Sequence, residues 1–469
     1  MILWMQWYAC VQEFQASCSR DRSFVYLVLV LAAFSIRQDI AGVASFIRAL
    51  CMDPRCYKRF LHFFNYSTGL DLAKLTSIWC RVIRNRLPIY RVGPYEVYVA
   101  DGLKIGKEGK KMPGVKKLHQ SSENNSKPAY IMGHSFQAVA LLVRNAKNRV
   151  AAIPLATRIH EGVVWSPNDR RSLLDKLVQL FYEILSADSP PALLVADAYY
   201  ASKKIVHPLM KNGHQLLTRV RSNSVAYHKA LASKKRGRGR PTLYGKKVHL
   251  RTVFDRLDQF EKVASPVYDE SKIEISYYVQ DLLWKPIGRL VRFVWVVHPA
   301  RGRIILMCTD CSIDPLTIIE TYGYRFKIEV GFRSAIRQIG TYGYHFWMME
   351  MKPIKKKDGT QYMHKKSERY RKMVKRKLEA YHRFVQLGCI AQGLMILLAF
   401  TDGTTVWGQF RSWLRTMNKE NPPSELVVSY ALRSSLFEFL KDSPQDQKLK
   451  EILTQHMKIQ QMQEYQMAA

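Results

Sequence analysis

The sequence predicts an α/β protein in which a mixed sheet with flanking helices is interrupted by a β-rich insertion and bounded by helical N- and C-terminal regions. From residue 95, apolar residues alternate with a period of two, and buried strands then alternate with an amphipathic helix. Strong alternation returns between residues 226 and 312, whereas helical spacing dominates before residue 92 and after residue 317. The expected segments are 1–92 (helical), 93–225 (α/β core, first part), 226–314 (β-rich insertion), 315–400 (core, second part) and 401–469 (helical).

The first segment contains short basic helices. Residues 38–50 carry apolar side chains at helical spacing, Asp53 and Pro54 break the pattern, and residues 56–64 resume it. Short helices joined by tight turns fit a helix-turn-helix-like DNA reader and fit a plain helical bundle equally well. The pattern alone leaves both interpretations open.

The α/β core is predicted from strand patterns that end in carboxylates. Its expected strands are residues 95–100, 130–136, 139–143, 150–156 and 192–196. A helix-start signal at 166–169 precedes an amphipathic helix that extends to about residue 185. Asp101 directly follows the first of these strands and Asp197 directly follows the last.

The β-rich insertion and the later helices are predicted from the same two hydrophobic patterns, strand alternation and helical spacing. Residues 272–280 alternate strictly, and 289–298 and 302–308 form two further strands around a turn. Residues 365–383 contain neither Gly nor Pro and should be helical.

The chain is strongly basic, with 73 Lys plus Arg against 38 Asp plus Glu and a formal charge of +35. Residues 198–254 contain no acid and 14 Lys or Arg. Nucleic acid is the favoured partner of such a stretch, against an anionic membrane surface or a solvated loop. The densest cations in it are Lys234, Lys235, Arg236, Arg238 and Arg240. Further basic blocks lie at 104–117 and 352–377.

Membrane spans and metal-binding thiols are not expected. The apolar runs 24–36 and 387–400 are shorter than the roughly 20 residues that a bilayer needs, so both should be buried core helices. The eight cysteines show no zinc spacing beyond a single Cys308–Cys311 pair and should be reduced thiols.

Asp101 and Asp197 are candidate metal ligands. The carboxyl ends of strands in an open α/β sheet are where ligands bind, and hard carboxylate oxygens favour Mg²⁺. The alternative is two aspartates that merely cap strand–loop junctions.

A third carboxylate, Glu329, belongs to a predicted helix. At about 100° per residue, Tyr322, Arg325, Glu329 and Arg333 fall within an arc of roughly 80°. Glu329 can bind a metal while the two arginines grip phosphate oxygens. An exposed helix with an Arg325–Glu329 ion pair explains the spacing equally well.

The order Asp101, Asp197, Glu329 resembles the DDE triad of bacterial insertion-sequence transposases with an RNase H-like core. The helix is similar to their Tyr-x2-Arg-x3-Glu-x6-Lys motif at Tyr322, Arg325 and Glu329.

Two further segments bear on this resemblance. The motif's lysine position holds Ile336; Arg333 lies on the same face and Arg337 borders it, and either of them can take over the phosphate contact of the lysine. Tyr199 follows Asp197 at the family's spacing, and the long gap between Asp197 and Glu329 resembles that of members with a β insertion.

The resemblance implies metal-dependent cleavage of transposon ends followed by strand transfer to target DNA. Asp101, Asp197 and Glu329 would hold two Mg²⁺ ions, for which Mn²⁺ can substitute. The expected partners are double-stranded DNA, as inverted repeats and as target, and a second copy of the chain in a homodimer. Residues 1–92 would bind the DNA ends, residues 401–469 would dimerise, and the protein would work in the bacterial cytoplasm at the nucleoid.

Aromatic residues of such an insertion hold a flipped base in members that form a DNA hairpin. Trp284 is the better candidate here, because Trp295 lies in an apolar strand and suits the core. His134 can face the site, although a structural role suits it better. The alternatives to a transposase are a catalytically inactive relic that only binds DNA and an RNase H-like nuclease without strand transfer.

Overall fold

The computed structural model describes residues 2–66, 68–120, 128–186, 189–230, 242–268, 270, 272–444 and 447–458. The helices are α1 (Ile2–Val11), α2 (Asp21–Ile36), α3 (Ala44–Ala49), α4 (Cys56–Tyr66), α5 (Leu72–Arg86), α6 (Leu173–Ile184), α7 (Lys203–Lys211), α8 (Pro315–Gly323), α9 (Phe326–Ser334), α10 (Glu368–Thr401), α11 (Gly403–Gln409), α12 (Glu425–Asp442) and α13 (Lys448–His456). The strands are β1 (Arg91–Val92), β2 (Tyr95–Gly106), β3 (Lys116–His119), β4 (Tyr130–Arg144), β5 (Val150–Ile159), β6 (Val163–Val164), β7 (Ala192–Ala196), β8 (Gln215–Arg219), β9 (Val225–Lys229), β10 (Tyr244–His249), β11 (Glu261–Ala264), β12 (Glu274–Trp284), β13 (Arg289–His298), β14 (Gly302–Cys308) and β15 (Gln361–Tyr362).

The centre of the molecule is a mixed sheet with the local strand order β5-β4-β2-β7-β8. Strands β5, β4 and β2 are antiparallel neighbours, whereas β7 runs parallel to β2 and β8 runs parallel to β7. The connections to the parallel strands run through α6 and α7, which cover part of the sheet. The predicted mixed α/β class, with a mixed sheet and flanking helices, is confirmed.

Two predicted strands, 130–136 and 139–143, are one continuous strand, β4. The two residues between them, Gln137 and Ala138, stay paired with Gly102 and Asp101 of β2, so the ladder is not interrupted. For the same reason β2 does not end at Asp101 and continues to Gly106.

The β-rich insertion extends the same sheet. Strand β14 pairs with β8, and the order continues outward through β13, β12, β9 and β10. Strands β13 and β14 have the predicted bounds, 289–298 and 302–308. The described part of the insertion is therefore joined to the core by main-chain hydrogen bonds.

The longest described helix, α10, crosses the hydrophobic core and packs on β5, α2 and α4. Of the described helices, it alone is long and apolar enough to cross a membrane, and 89% of its most apolar window is buried inside the protein. Helix α2 has the same environment, since its residues from Tyr26 to Ile36 are all buried. Both apolar runs are core helices, as predicted.

Two predicted helices are shorter than expected. Residues 38–43 are not helical, because Gly42 has a left-handed φ of +58°, and only Ala44–Ala49 remains of the predicted 38–50 helix. Helix α6 starts at Leu173 and not near 166, because Ser172 and Asp175 form a capping box there.

Candidate active site

Asp101 and Asp197 lie side by side on adjacent parallel strands. The register of β2 and β7 pairs Val99 with Val195, so the two aspartates occupy the next equivalent positions two residues further on. Neighbouring strands are about 4.8 Å apart, so the two carboxylates start from neighbouring backbone positions. The predicted juxtaposition of these two acids is present, at the point where β7 ends and β2 continues.

Arg325 connects Asp101 to Glu329. Its Nη1 donates to Asp101 Oδ2 at 2.9 Å, and its Nη2 donates to Glu329 Oε1 at 2.5 Å. The side chains of Arg325 and Asp101 are 17% and 19% exposed, whereas Glu329 is 40% exposed. The structure therefore links Glu329, the third acid of the predicted triad, to Asp101 through an arginine.

The main chain orients both aspartates. Asp101 Oδ1 accepts from the Gly102 amide at 2.7 Å, and Asp197 Oδ1 accepts from the Tyr199 amide at 2.9 Å. Thr218 Oγ1 donates to the Asp197 carbonyl oxygen at 2.7 Å and fixes the end of β7. Both carboxylates are thus held by the backbone that follows each strand position.

Burial raises the pKa of Asp101 to about 6. The Arg325 guanidinium opposes this shift, whereas the negative charges of Asp197 and Glu329 add to it. A carboxyl whose pKa is raised while two other acids surround it needs additional positive charge to stay ionised. The site is therefore electrostatically suited to a cation.

The predicted Tyr322–Glu329 helix is two helices. The backbone tightens to i→i+3 hydrogen bonding between Tyr322 and Ile328, which separates α8 from α9. A Cβ on Gly323 would lie 3.0 Å from the Val267 side chain, so glycine lets this break pack closely against the insertion. The prediction of one continuous helix was wrong, since α8 ends at Gly323 and α9 starts at Phe326. Arg325 lies at the junction, where it contacts Asp101 and Glu329.

Tyr322 still lies at the site. Burial raises its pKa, and the positive charges of Arg325 and Arg219 act in the opposite direction. Arg219 is exposed at the carboxyl end of β8, next to the strand that carries Asp197. The sequence reasoning missed Arg219 and Thr218; their position at the end of a third apolar strand pattern was the available signal.

Other predicted residues are more distant or have a different role. Arg333 is exposed on α9. Trp284 is 6% exposed and packs in the core, so its ring would have to turn outward to stack on a base. Trp295 is fully buried and donates to the Leu250 carbonyl at 2.7 Å. The basic run Lys234, Lys235, Arg236, Arg238 and Arg240 lies outside the described residues.

His134 is structural. It is fully buried, with Nδ1 2.6 Å from the Tyr344 hydroxyl and Nε2 2.9 Å from the Pro113 carbonyl oxygen. Burial lowers its pKa to about 3, so the ring is neutral at physiological pH.

The donor set suits a divalent cation, although the three acids are not yet gathered around one point. Within the described ranges, no three His, Cys, Asp or Glu side chains are close enough to hold a metal ion. Arg325 occupies the space between Asp101 and Glu329. Asp101 and Asp197 supply adjacent hard oxygens that fit Mg²⁺ or Mn²⁺, and Glu329 could join them only after its bond to Arg325 is released.

Residues 20–273, more than half of the chain, match the family described as DDE superfamily endonuclease, and the protein belongs to this family. The matched residues include Asp101 and Asp197 and end before Glu329. No curated protein matches the chain in sequence.

Among solved structures, the chain is similar to a piggyBac transposase in a cryo-EM structure of its synaptic complex with hairpin DNA. The identity is 13% and the TM-score 0.34, with 93% of this chain and 76% of that chain covered.

Proposed function

We propose that this endonuclease is the transposase of a bacterial insertion sequence, which cleaves the element's inverted ends and joins the freed 3′-OH to target DNA. The observation that carries the proposal is the pair of adjacent strand carboxylates, Asp101 and Asp197, connected through Arg325 to Glu329. Family membership supports the phosphodiester chemistry. The Tyr322, Arg325 and Glu329 spacing supports the assignment to the Tyr-Arg-Glu-Lys group.

In the proposed reaction Asp101, Asp197 and Glu329 would hold two Mg²⁺ ions. Such a pair lowers the pKa of an attacking water or 3′-OH and stabilises the leaving oxygen. Arg325, once released from Glu329, can form a bidentate contact with a phosphate. Arg219 and Arg333, both exposed, supply further positive charge for the DNA backbone.

The same proposal includes a homodimer that synapses two DNA ends and works in the bacterial cytoplasm. Residues 1–92 would contact the ends, and the helices of residues 401–469 would contribute to the dimer. The net charge of +35 supports a polyanionic partner.

The test is cleavage of a labelled duplex that carries an element end, with Mg²⁺ and a target plasmid. Wild type should nick the end and give a joined product. Asp197→Asn should lower the cleavage rate by at least about 100-fold, since a metal-holding carboxylate is lost. Asp258→Asn, an equal change at an exposed position of the insertion, should cleave at the wild-type rate.

The products separate the alternatives. Nicking without any joined product would indicate a nuclease that lacks strand transfer. Binding without cleavage by wild type would indicate an inactive relic. Full activity of Asp197→Asn would show that the carboxylate assignment is wrong.

A further inference from the structure

A basic cleft lies in the N-terminal helical region, apart from the carboxylates. The first turn of α2 and one face of α4 form its walls, and its volume is about 430 Å³. Four exposed cations line it: Arg20, Arg22, Lys58 and Arg59. We call it the α2–α4 cleft.

Within the described residues, no carboxylate forms an ion pair with the cations of the α2–α4 cleft. In the described part of the chain, none of the four cationic side chains forms an ion pair or a hydrogen bond. The adjacent carboxyl, Asp21, accepts a hydrogen bond from the Gln15 amide. Like charges held this close repel one another, so an anionic ligand would relieve the repulsion.

An aromatic wall extends the cleft toward α10. Tyr66 is 53% exposed and stacks on His62, with the ring centroids 5.5 Å apart. The Arg376 guanidinium of α10 lies 4.4 Å from the centroid of the Tyr66 ring. Lys377 Nζ donates to Asn65 Oδ1 at 2.6 Å and fixes α10 against the end of α4.

The basic block on the first half of α10 therefore continues the cleft. Arg369, Lys372 and Lys375 are exposed on this half of the helix, which starts at Glu368. Two basic segments that are about 300 residues apart in sequence meet at Tyr66. Together they form a positive surface longer than the cleft alone.

We propose that the α2–α4 cleft binds the phosphate backbone of duplex DNA and supplies affinity without reading sequence. This rests on the proposed function, because DNA is taken as the substrate. Lysines and arginines without fixed partners suit phosphate oxygens, whereas base readout needs side chains that are held in place. A concave basic surface also fits a polyanionic chain better than a membrane, which takes a protruding apolar face.

The experiment measures binding of the full-length chain to a short labelled duplex by fluorescence anisotropy at several salt concentrations. Lys58→Gln/Arg59→Gln is compared with Arg415→Gln/Lys419→Gln, which removes the same charge from an exposed C-terminal segment. All four side chains are exposed, so thermal unfolding should be unchanged in both variants and confirms that each is folded.

The expected result is a Kd raised about 10- to 60-fold at roughly 0.1 M salt, and a log K against log salt slope reduced in magnitude by about 2, for the cleft variant only. The loss should be equal for unrelated duplex sequences. Equal losses in both double variants, or a loss confined to one duplex sequence, would overturn the proposal and leave the proposed function standing. Wild type that binds no duplex at low salt would overturn both. Binding of anionic vesicles lost through the same two substitutions, with duplex binding unchanged, would assign the cleft to a membrane.

Discussion

His134 provides a quantitative test of the site's framework, because the sequence left a catalytic role open and the structure assigns a structural one. His134 lies on β4 opposite Ile105 of β2, the strand that carries Asp101. The Pro113 carbonyl can only accept, so Nε2 carries the proton and Nδ1 accepts from the Tyr344 hydroxyl. A protonated ring would lose the bond from Tyr344 and would place a charge in the core.

The direction of the pH effect follows from the pKa of His134 in the unfolded and in the folded chain. Histidine in the unfolded chain has a pKa near 6.5, and burial lowers the pKa of His134 to about 3. Between these values the unfolded chain binds more protons, so the stability is fully present above pH 6.5 and is lost as the pH falls toward 3. From this side chain alone the loss at pH 5 is about 2 kcal/mol. His382 has its pKa lowered by burial in the same way and adds to the acid sensitivity.

The assay is urea unfolding followed by tryptophan fluorescence at several pH values between 8 and 5. His134→Gln keeps a donor for Pro113 and should lower stability at pH 8, yet reduce the loss between pH 8 and pH 5 by about 2 kcal/mol. His207→Gln, at an exposed position of α7, is the matched control, and its free energy of unfolding should depend on pH as that of the wild type does. If the free energy of unfolding of His134→Gln depended on pH as steeply as that of the wild type, the reasoning would be refuted. A loss of DNA cleavage larger than the loss of folded protein would refute the structural role of His134.

Two further changes test the packing and electrostatics of the site. Arg325→Gln should raise the pKa of Asp101 further, because the guanidinium that opposes the shift is lost. The midpoint of a plot of cleavage rate against pH should therefore move up by about one pH unit or more. The surface variant Arg411→Gln should keep the wild-type midpoint. Gly393→Ala should lower the free energy of unfolding by about 1–3 kcal/mol in urea titrations, because its Cβ would overlap the Trp79 ring. Gly408 is the control: a Cβ there meets no neighbouring atom, so Gly408→Ala should raise the free energy of unfolding by as much as about 1 kcal/mol through helix propensity. A gain of that size for Gly393→Ala would contradict the prediction.

The strand patterns predicted much of the sheet because burial alternates along them. Strands β13 and β14 have the predicted bounds, since a hydrophobic period of two is sensitive to register. The extension of β2 beyond Asp101 could not be predicted in this way. It depends on pairing with the first half of β4, whose residues 130–132 are not fully buried and give a weak signal.

The sequence predicted which residues belong to the candidate site, but it did not predict which of them contact one another. Spacing placed Arg325 and Glu329 on one helical face, and Gly323 was the local sign of a weak point in that helix. The close packing of Val267 from the insertion against Gly323 has no sign in the segment itself. The sequence favours Trp284 over Trp295 because Trp295 lies in an apolar strand, yet both rings are buried in the core, at the end of β12 and in the middle of β13. Long-range packing of this kind has no signature within a single segment.

The continuity of the sheet from β4 to β10 has a mechanical consequence. Strand β14 is hydrogen-bonded to β8, and β8 is one strand away from Asp197. Bending the insertion relative to β7 would break the main-chain hydrogen bonds between β14 and β8, which pair at Leu306, Met307 and Cys308. The insertion is therefore coupled to the strand that carries Asp197 through backbone pairing as well as through the chain itself.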